Sequence, residues 1–200
     1  MLDIENSPLI RGAGDLWTQA TRARFLDAVA DGTLPAEAFH RWLVQDYQFA
    51  RGLTSYQAIM VARAPREAHA VLIGGLSAMN SELEWFEQHA DRLSLELAAP
   101  AHPTCRRYVD FLLAAAYTRP FPELAVILFG VEVSYLAAWS ALPAEGPHAE
   151  FITRWSNPHF AEYVGRLATL ANRETDARHQ AVFDDVLRLE RDFWHMTWEA

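Results

Sequence analysis

The chain has 200 residues, 51% hydrophobic and 22% charged, which is globular rather than disordered and enough for one domain with a sizeable core. Its formal charge is −9 at pH 7 and all 17 strong cations are arginine, which argues against general nucleic-acid binding and excludes a Schiff-base lysine, and with it pyridoxal-phosphate chemistry by the usual route. The single cysteine, Cys105, has no partner for an intramolecular disulfide, so a cytoplasmic setting is the expectation.

Residues 1 to 14 read as an irregular lead-in with Pro8, Gly12 and Gly14. MLDIENSPLIRGAG has acids where a signal peptide needs bases. No apolar run reaches the ~18 to 20 residues of a membrane span, so no membrane partner is expected. A first helix carries Leu16, Trp17, Phe25, Leu26 and Val29 and stops at Asp31-Gly32. Pro35 opens a second helix at its first turn, with the stripe Phe39, Trp42, Leu43, Asp46, Phe49 and Leu53. Asp46 follows Trp42 by four and precedes Phe49 by three, so a carboxylate lies on an apolar face. Pro65 restarts the chain into a third helix with Leu72, Leu76, Met79, Leu83 and Phe86; Glu82 flanks that stripe, while Glu84 and Glu87 look solvated.

A connector over 94 to 103 ends at Pro103, which starts a fourth helix with Tyr108, Phe111, Leu112 and Ala115 on one face. The fifth helix, Pro122 to Trp139, repeats Leu124, Leu128, Val131, Tyr135 and Trp139 at helical spacing and reads as buried. Glu132 sits on its apolar face with no compensating charge within a turn. Carrying an ionised carboxylate into a core costs several kcal/mol or forces its pKa up, so Glu132 suggests a polar cavity. A sixth helical region, 148 to 171, is interrupted at Asn157-Pro158. The last helix, about Thr175 to Met196, has the stripe Val182, Phe183, Val186, Glu190, Phe193 and Thr197, with another acid mid-face. Nothing alternates with period two. The expectation is an all-α, single-domain bundle of about seven helices.

Asp46, Glu82, Glu132 and Glu190 come from four helices, each beside an aromatic (Phe49, Trp85, Tyr135, Phe193), and point to a polar pocket in the bundle. A dimetal site would repeat Glu-x-x-His on helices. Glu145 and His148 have that spacing only in a loop, and Asp176 and His179 give a related one near the start of the last helix. Neither pairs with the four acids, so no metal or cofactor is expected. Cys105 sits two residues after Pro103, where a helix start can activate a thiol; a small buried residue is the other reading.

Four segments in this order resemble the TenA family of thiaminase II-type aminopyrimidine hydrolases, over nearly the whole chain. LVQDYQFA resembles its Q-D segment, PTCRRYVDFLLA the segment supplying an active-site tyrosine (here Tyr108), RWSNPHFAEYV the segment with a substrate-facing aromatic (here Trp155), and LERDFWHMTW the terminal E-x-x-F-W segment with Glu190. Thiaminase II proper carries a cysteine in a P-C-x-W-x-Y context where this chain has FGVEVSY. Glu132, Tyr135, Trp139 and the segment SELEWFE are instead similar to the cysteine-less, glutamate-type branch.

The resemblance implies a haem-oxygenase-like fold and hydrolysis of aminopyrimidine thiamin-breakdown products, such as aminomethyl or formylaminomethyl pyrimidine, in thiamin salvage by a homo-oligomer (dimer or tetramer). Asp46 is the candidate to face the ring nitrogen and exocyclic amine, with Phe49, Tyr108 and Trp155 stacking on the ring and Glu82 and Tyr135 completing the substrate contacts. Glu132 and Glu190 divide the acid and base roles if their surroundings separate their pKa values. Water or a glutamate is the nucleophile. A non-catalytic pyrimidine- or thiamin-binding protein would keep Asp46 and the aromatics but need no pair of acids. A dimetal oxidase on the same fold is the third reading.

Overall fold

The computed structural model describes residue 4, residues 6–173 and residues 175–198. Among the described residues there is no strand; ten α-helices and one short 3-10 turn make up the regular structure. The chain packs as two compact units, one built from the segment up to Leu34 and from Ala125 onward, the other from Pro35–Leu124.

In the first unit the chain opens with three short helices, α1 (Pro8–Ala13), α2 (Asp15–Thr21) and α3 (Arg24–Ala30). The predicted irregular lead-in is therefore helical from Pro8. Proline at the first helical position has its φ preset, and Leu9 is buried. Gly14, at φ 55, ends this turn and starts the next. The predicted first helix is broken again where Arg22 and Ala23 adopt extended backbone. Its predicted stop holds: Gly32 takes φ 66, its N–H bonds the Val29 carbonyl at 3.2 Å, and the Thr33 N–H bonds the Ala28 carbonyl at 2.9 Å. These are the two bonds of a Schellman close, which needs the left-handed glycine.

In the second unit α4 (Ala36–Arg63) packs on both α5 (His69–Leu93) and α6 (Pro103–Thr118). Its predicted stripe is the buried face: Phe39, Trp42, Leu43, Asp46, Phe49 and Leu53 are all inside. Pro65 leads into the 3-10 turn Arg66–Ala68 before α5 begins. Pro103 starts α6, where the His102 ring Nδ1 accepts the Thr104 N–H at 3.2 Å.

Helix α7 (Phe121–Ser140) runs 20 residues, its first turn within the second unit. By length and composition it is long and apolar enough to cross a membrane, contrary to the reading that no such run exists, because its two acids, Glu123 and Glu132, leave the average apolar. Its residues are buried on nearly every face, as in a central core helix. The first unit continues with α8 (Ala149–Trp155), α9 (Pro158–Ala171) and α10 (Ala177–Trp198). The predicted break at Asn157-Pro158 separates α8 from α9, and the Asn157 side chain caps α9 by accepting the Phe160 N–H at 3.0 Å. The extra breaks account for ten helices where about seven were expected.

Helix α10 anchors the first unit by packing against α1, α2 and α3. Gln180 donates to the Leu9 carbonyl at 3.1 Å, and Trp194 Nε1 donates to the Ala20 carbonyl at 3.1 Å. Against α7 the approach is also close. A Cβ on Gly130 would lie 3.0 Å from Val186 Cγ1 and 3.3 Å from Phe183 Cδ2.

Gly130→Ala is therefore expected to destabilise the protein. The helical gain of about 0.5–1 kcal/mol from replacing glycine is outweighed by overpacking of about 1–3 kcal/mol against two buried side chains. Urea denaturation reads the difference. A variant as stable as the parent would show that α7 and α10 have room to separate.

Candidate active site

Three contacts set the register of α7 against α10. Phe129 stacks on Phe183 with centroids 6.0 Å apart, Gly130 meets Val186, and Tyr135 stacks on Trp194 at 5.7 Å and 10°. Both residue numbers rise together, so the helices run in the same direction here. Phe183, Val186, Glu190 and Trp194 follow one another by three, four and four, which is one stripe of α10. Its other members touch α7, so Glu190 faces α7 between Val186 and Trp194. On α7, Glu132 lies three after Phe129 and three before Tyr135, the two residues whose rings stack on α10. By this register the two carboxylates lie at about the same level along α7 and α10. Glu132 is 7% exposed and Glu190 3%.

Beside them lies a cluster of aromatic rings. Tyr135 meets Trp155 edge-on at 5.4 Å and Trp139 at 6.0 Å, and Trp139 packs on Trp155 at 5.2 Å. Trp155 is buried among these rings, whereas Tyr135 is half-buried. Trp155 packs edge-on behind Tyr135. The sequence shows Trp194 only as the last residue of the E-x-x-F-W segment. The structure makes it the ring under Tyr135, a role signalled only by its position in E-x-x-F-W.

The second unit holds the other predicted residues. Asp46 is buried on α4. Phe49 and Tyr108 pack with centroids 4.6 Å apart and planes at 44°. That spacing leaves no slot for a third ring between them, so they form one aromatic wall rather than two jaws. Their approach is held where α4 and α6 touch at Gly52, on which a Cβ would sit 2.6 Å from Val109 Cγ1. Glu82, on α5, is half-buried at the stripe edge, and Glu84 and Glu87 are exposed, as expected.

Cys105 is wholly buried, and its Sγ–H donates to the Gln45 carbonyl at 3.4 Å. Burial, and then the negative charge of nearby Asp46, push its thiol up to about 12. Activation by the helix start is overridden, and the small-buried-residue reading applies. Asp46 is thereby located within electrostatic reach of the first turn of α6.

The spacings considered for metal have other uses. Asp176 Oδ1 accepts the Arg178 and His179 N–H groups at 2.9 Å each and contacts His179 Nδ1 at 2.8 Å. It is an N-terminal cap of α10. Glu145 is exposed in its loop, and His148 is half-buried at the start of α8. His89 is a packing histidine, its Nδ1 on the Trp85 carbonyl at 2.8 Å and its Nε2 accepting from Arg92 at 2.7 Å. Among the described residues no group of three or more His, Cys, Asp or Glu is placed to hold a metal ion.

The model of the TENA/THI-4/PQQC family matches residues 12–200, through both units. The "probable bifunctional TENA-E protein" of Glycine max is 26% identical over 202 residues, covering 91% of this chain and 88% of that protein. The X-ray structure of a TenA homologue from Pyrococcus furiosus superposes with a TM-score of 0.89 at 30% identity, over 99% of this chain and 100% of that one. A domain from Shewanella denitrificans with a haem-oxygenase-like fold gives a TM-score of 0.72 at 12% identity, over 95% and 90%, a likeness of fold alone.

The Cys105 thiol makes a pH-dependent contribution to stability. Its folded pKa is raised, so the contribution is intact below the unfolded value of 9.0 and is lost as pH rises toward about 12. Over that window the parent is expected to lose up to about 1.4 kcal/mol per pH unit more than Cys105→Ser. Denaturant titrations of both proteins across the alkaline range measure it. Parallel pH curves would show that the thiol is not protected.

Proposed function

The chain belongs to the TENA/THI-4/PQQC family, and on that premise we propose that it hydrolyses aminopyrimidine products of thiamin breakdown, releasing hydroxymethyl pyrimidine for thiamin salvage. The observation that carries the reading is the pair Glu132 and Glu190, both buried and at about the same level of the packed helices α7 and α10. A protein that only bound a pyrimidine would have no use for two desolvated carboxylates at one level. Two acids of one residue type in a low-dielectric setting repel each other, and holding one proton between them relieves that repulsion.

In this reading a C–N bond of the substrate breaks and a C–O bond forms. The ionised glutamate takes a proton from water as the oxygen attacks. The protonated glutamate gives its proton to the departing amine. Attack by a glutamate, with water then cleaving the ester, uses the same two groups. Recognition falls to Asp46, which accepts from the exocyclic amine and shares a proton with the ring nitrogen, and to the wall of Phe49 and Tyr108, across whose surface an aromatic ring packs well. Tyr135, braced by Trp155 and Trp194, offers a second aromatic face, and Glu82 a polar contact at its stripe edge. α7 contains no cysteine, and the buried Cys105 lies on α6. This matches the glutamate-type branch that the sequence resembles, and the relative in Glycine max carries TENA-E as its name. The proposal includes a cytoplasmic homo-oligomer that works without metal or cofactor on a small-molecule substrate.

Incubation with aminomethyl and formylaminomethyl pyrimidine is expected to yield hydroxymethyl pyrimidine. Tight binding without turnover would favour a carrier instead. Glu132→Gln and Glu190→Gln should each lower kcat at least ~100-fold, the scale of acid-base groups. The double variant should lose little more than the worse single one, because groups acting as a unit are not additive. Stability should hold or rise, since a buried charge is removed. Wild-type turnover by Glu132→Gln would make the pair structural.

A further inference from the structure

We propose that Gln45 is a positioning residue that sets pyrimidine affinity by locking the first turn of α6 onto α4, and so fixing Tyr108 against Phe49 beside Asp46. The proposal rests on the functional reading above. Gln45 is buried, a polar side chain in the core of the second unit. Its Oε1 accepts the His102 N–H at 2.7 Å, at the residue that caps α6, and its backbone carbonyl accepts the Cys105 Sγ–H. One residue of α4 thus holds α6 at its cap and again within its first turn. Gln48, a turn away, donates to the Leu97 carbonyl and ties down the connector that leads into α6.

The placement on both helices gives the device its reach. Gln45, Phe49 and Gly52 are spaced by four and three along α4, so they share a face. On α6, Tyr108 and Val109 follow Cys105 by three and four, on the side it shares with α4. The Phe49–Tyr108 pair lies between two fixed contacts, the Gln45–His102 bond on one side and the Gly52–Val109 approach on the other. Packing at Gly52 alone leaves α6 free to pivot about that point. The hydrogen bond from Gln45 stops the pivot; Phe49 sits about one turn from each contact on α4, and Tyr108 lies six residues after His102 and next to Val109. The Gln45 end of that bond is buried while His102 is exposed, so loss of the acceptor lets the start of α6 turn its N–H to solvent. Asp46 and Phe49 therefore face a Tyr108 whose place is set by the residue preceding the carboxylate itself.

Gln45→Met keeps length and volume but removes the acceptor. Its KM for aminomethyl pyrimidine is expected to rise at least ~10-fold with kcat within about threefold, the pattern of lost uniform binding. Calorimetry with hydroxymethyl pyrimidine should show a parallel loss in affinity. Amide hydrogen exchange should accelerate over residues 102–106 and stay unchanged over 109–118. Gln45→Glu, which retains the acceptor oxygen, should restore the slow exchange over 102–106. Unchanged affinity in Gln45→Met, or faster exchange through the whole of α6, would overturn the assignment by making Gln45 idle or merely structural. A wild-type protein that binds no aminopyrimidine would instead overturn the functional reading, and it is seen in the wild-type arm alone.

Discussion

The arrangement depends on the close approach of α7 and α10 at Gly130. A glycine there brings the backbone of α7 onto Val186 and Phe183, and every residue downstream inherits that spacing. Glu132 and Glu190 lie within a turn or so of the contact along their helices. Water is largely excluded from both, so neither carboxylate is screened as it would be at a surface. A hydrophobic core gains nothing from such a pair, since apolar residues of similar volume would be at least as stable. The cost makes sense where the pair moves protons. The rings around Tyr135 then act as a rigid frame: Trp194 is tied to the Ala20 carbonyl, and Tyr135 stacks on Trp194.

The second unit repeats the same physical device with a different purpose. Gly52 brings α4 onto α6 as Gly130 brings α7 onto α10, and a valine receives it in each case. Next to the first contact stand Phe49 and Tyr108 with Asp46, groups suited to an aromatic ring that carries hydrogen-bonding edges. Next to the second stand two carboxylates suited to proton transfer. Helices that touch at a glycine hold their neighbouring side chains with little freedom, and preorganisation of that kind lowers the cost of binding and of reaction.

Much of this was readable from spacing. The α4 stripe is strongly periodic, so Asp46 could be placed inside from Trp42 and Phe49 alone, and Glu190 from Val186 and Phe193. Proline and asparagine marked the starts of α6 and α9, because their effects on backbone and capping are local. The opening helices were harder. A six-residue helix such as α1 is too short to show a period, and Arg22-Ala23 carries no glycine or proline to announce a break. Cys105 stayed open between two readings, since its protonation depends on burial and on Asp46, a residue on another helix. Gln45 entered only as the glutamine of the Q-D segment, and its contact gave no signal because its partner His102 is 57 residues away along the chain. The glycines at 52 and 130 read as ordinary helical residues until their neighbours were known.

The central claim is that Glu132 and Glu190 share a proton near neutral pH. Infrared difference spectroscopy of the parent against each glutamine variant tests it directly, because a protonated carboxyl absorbs apart from a carboxylate. The account expects a protonated-carboxyl band in the parent at neutral pH that disappears on replacing either glutamate. A parent with no such band, its two glutamates both ionised, would contradict it.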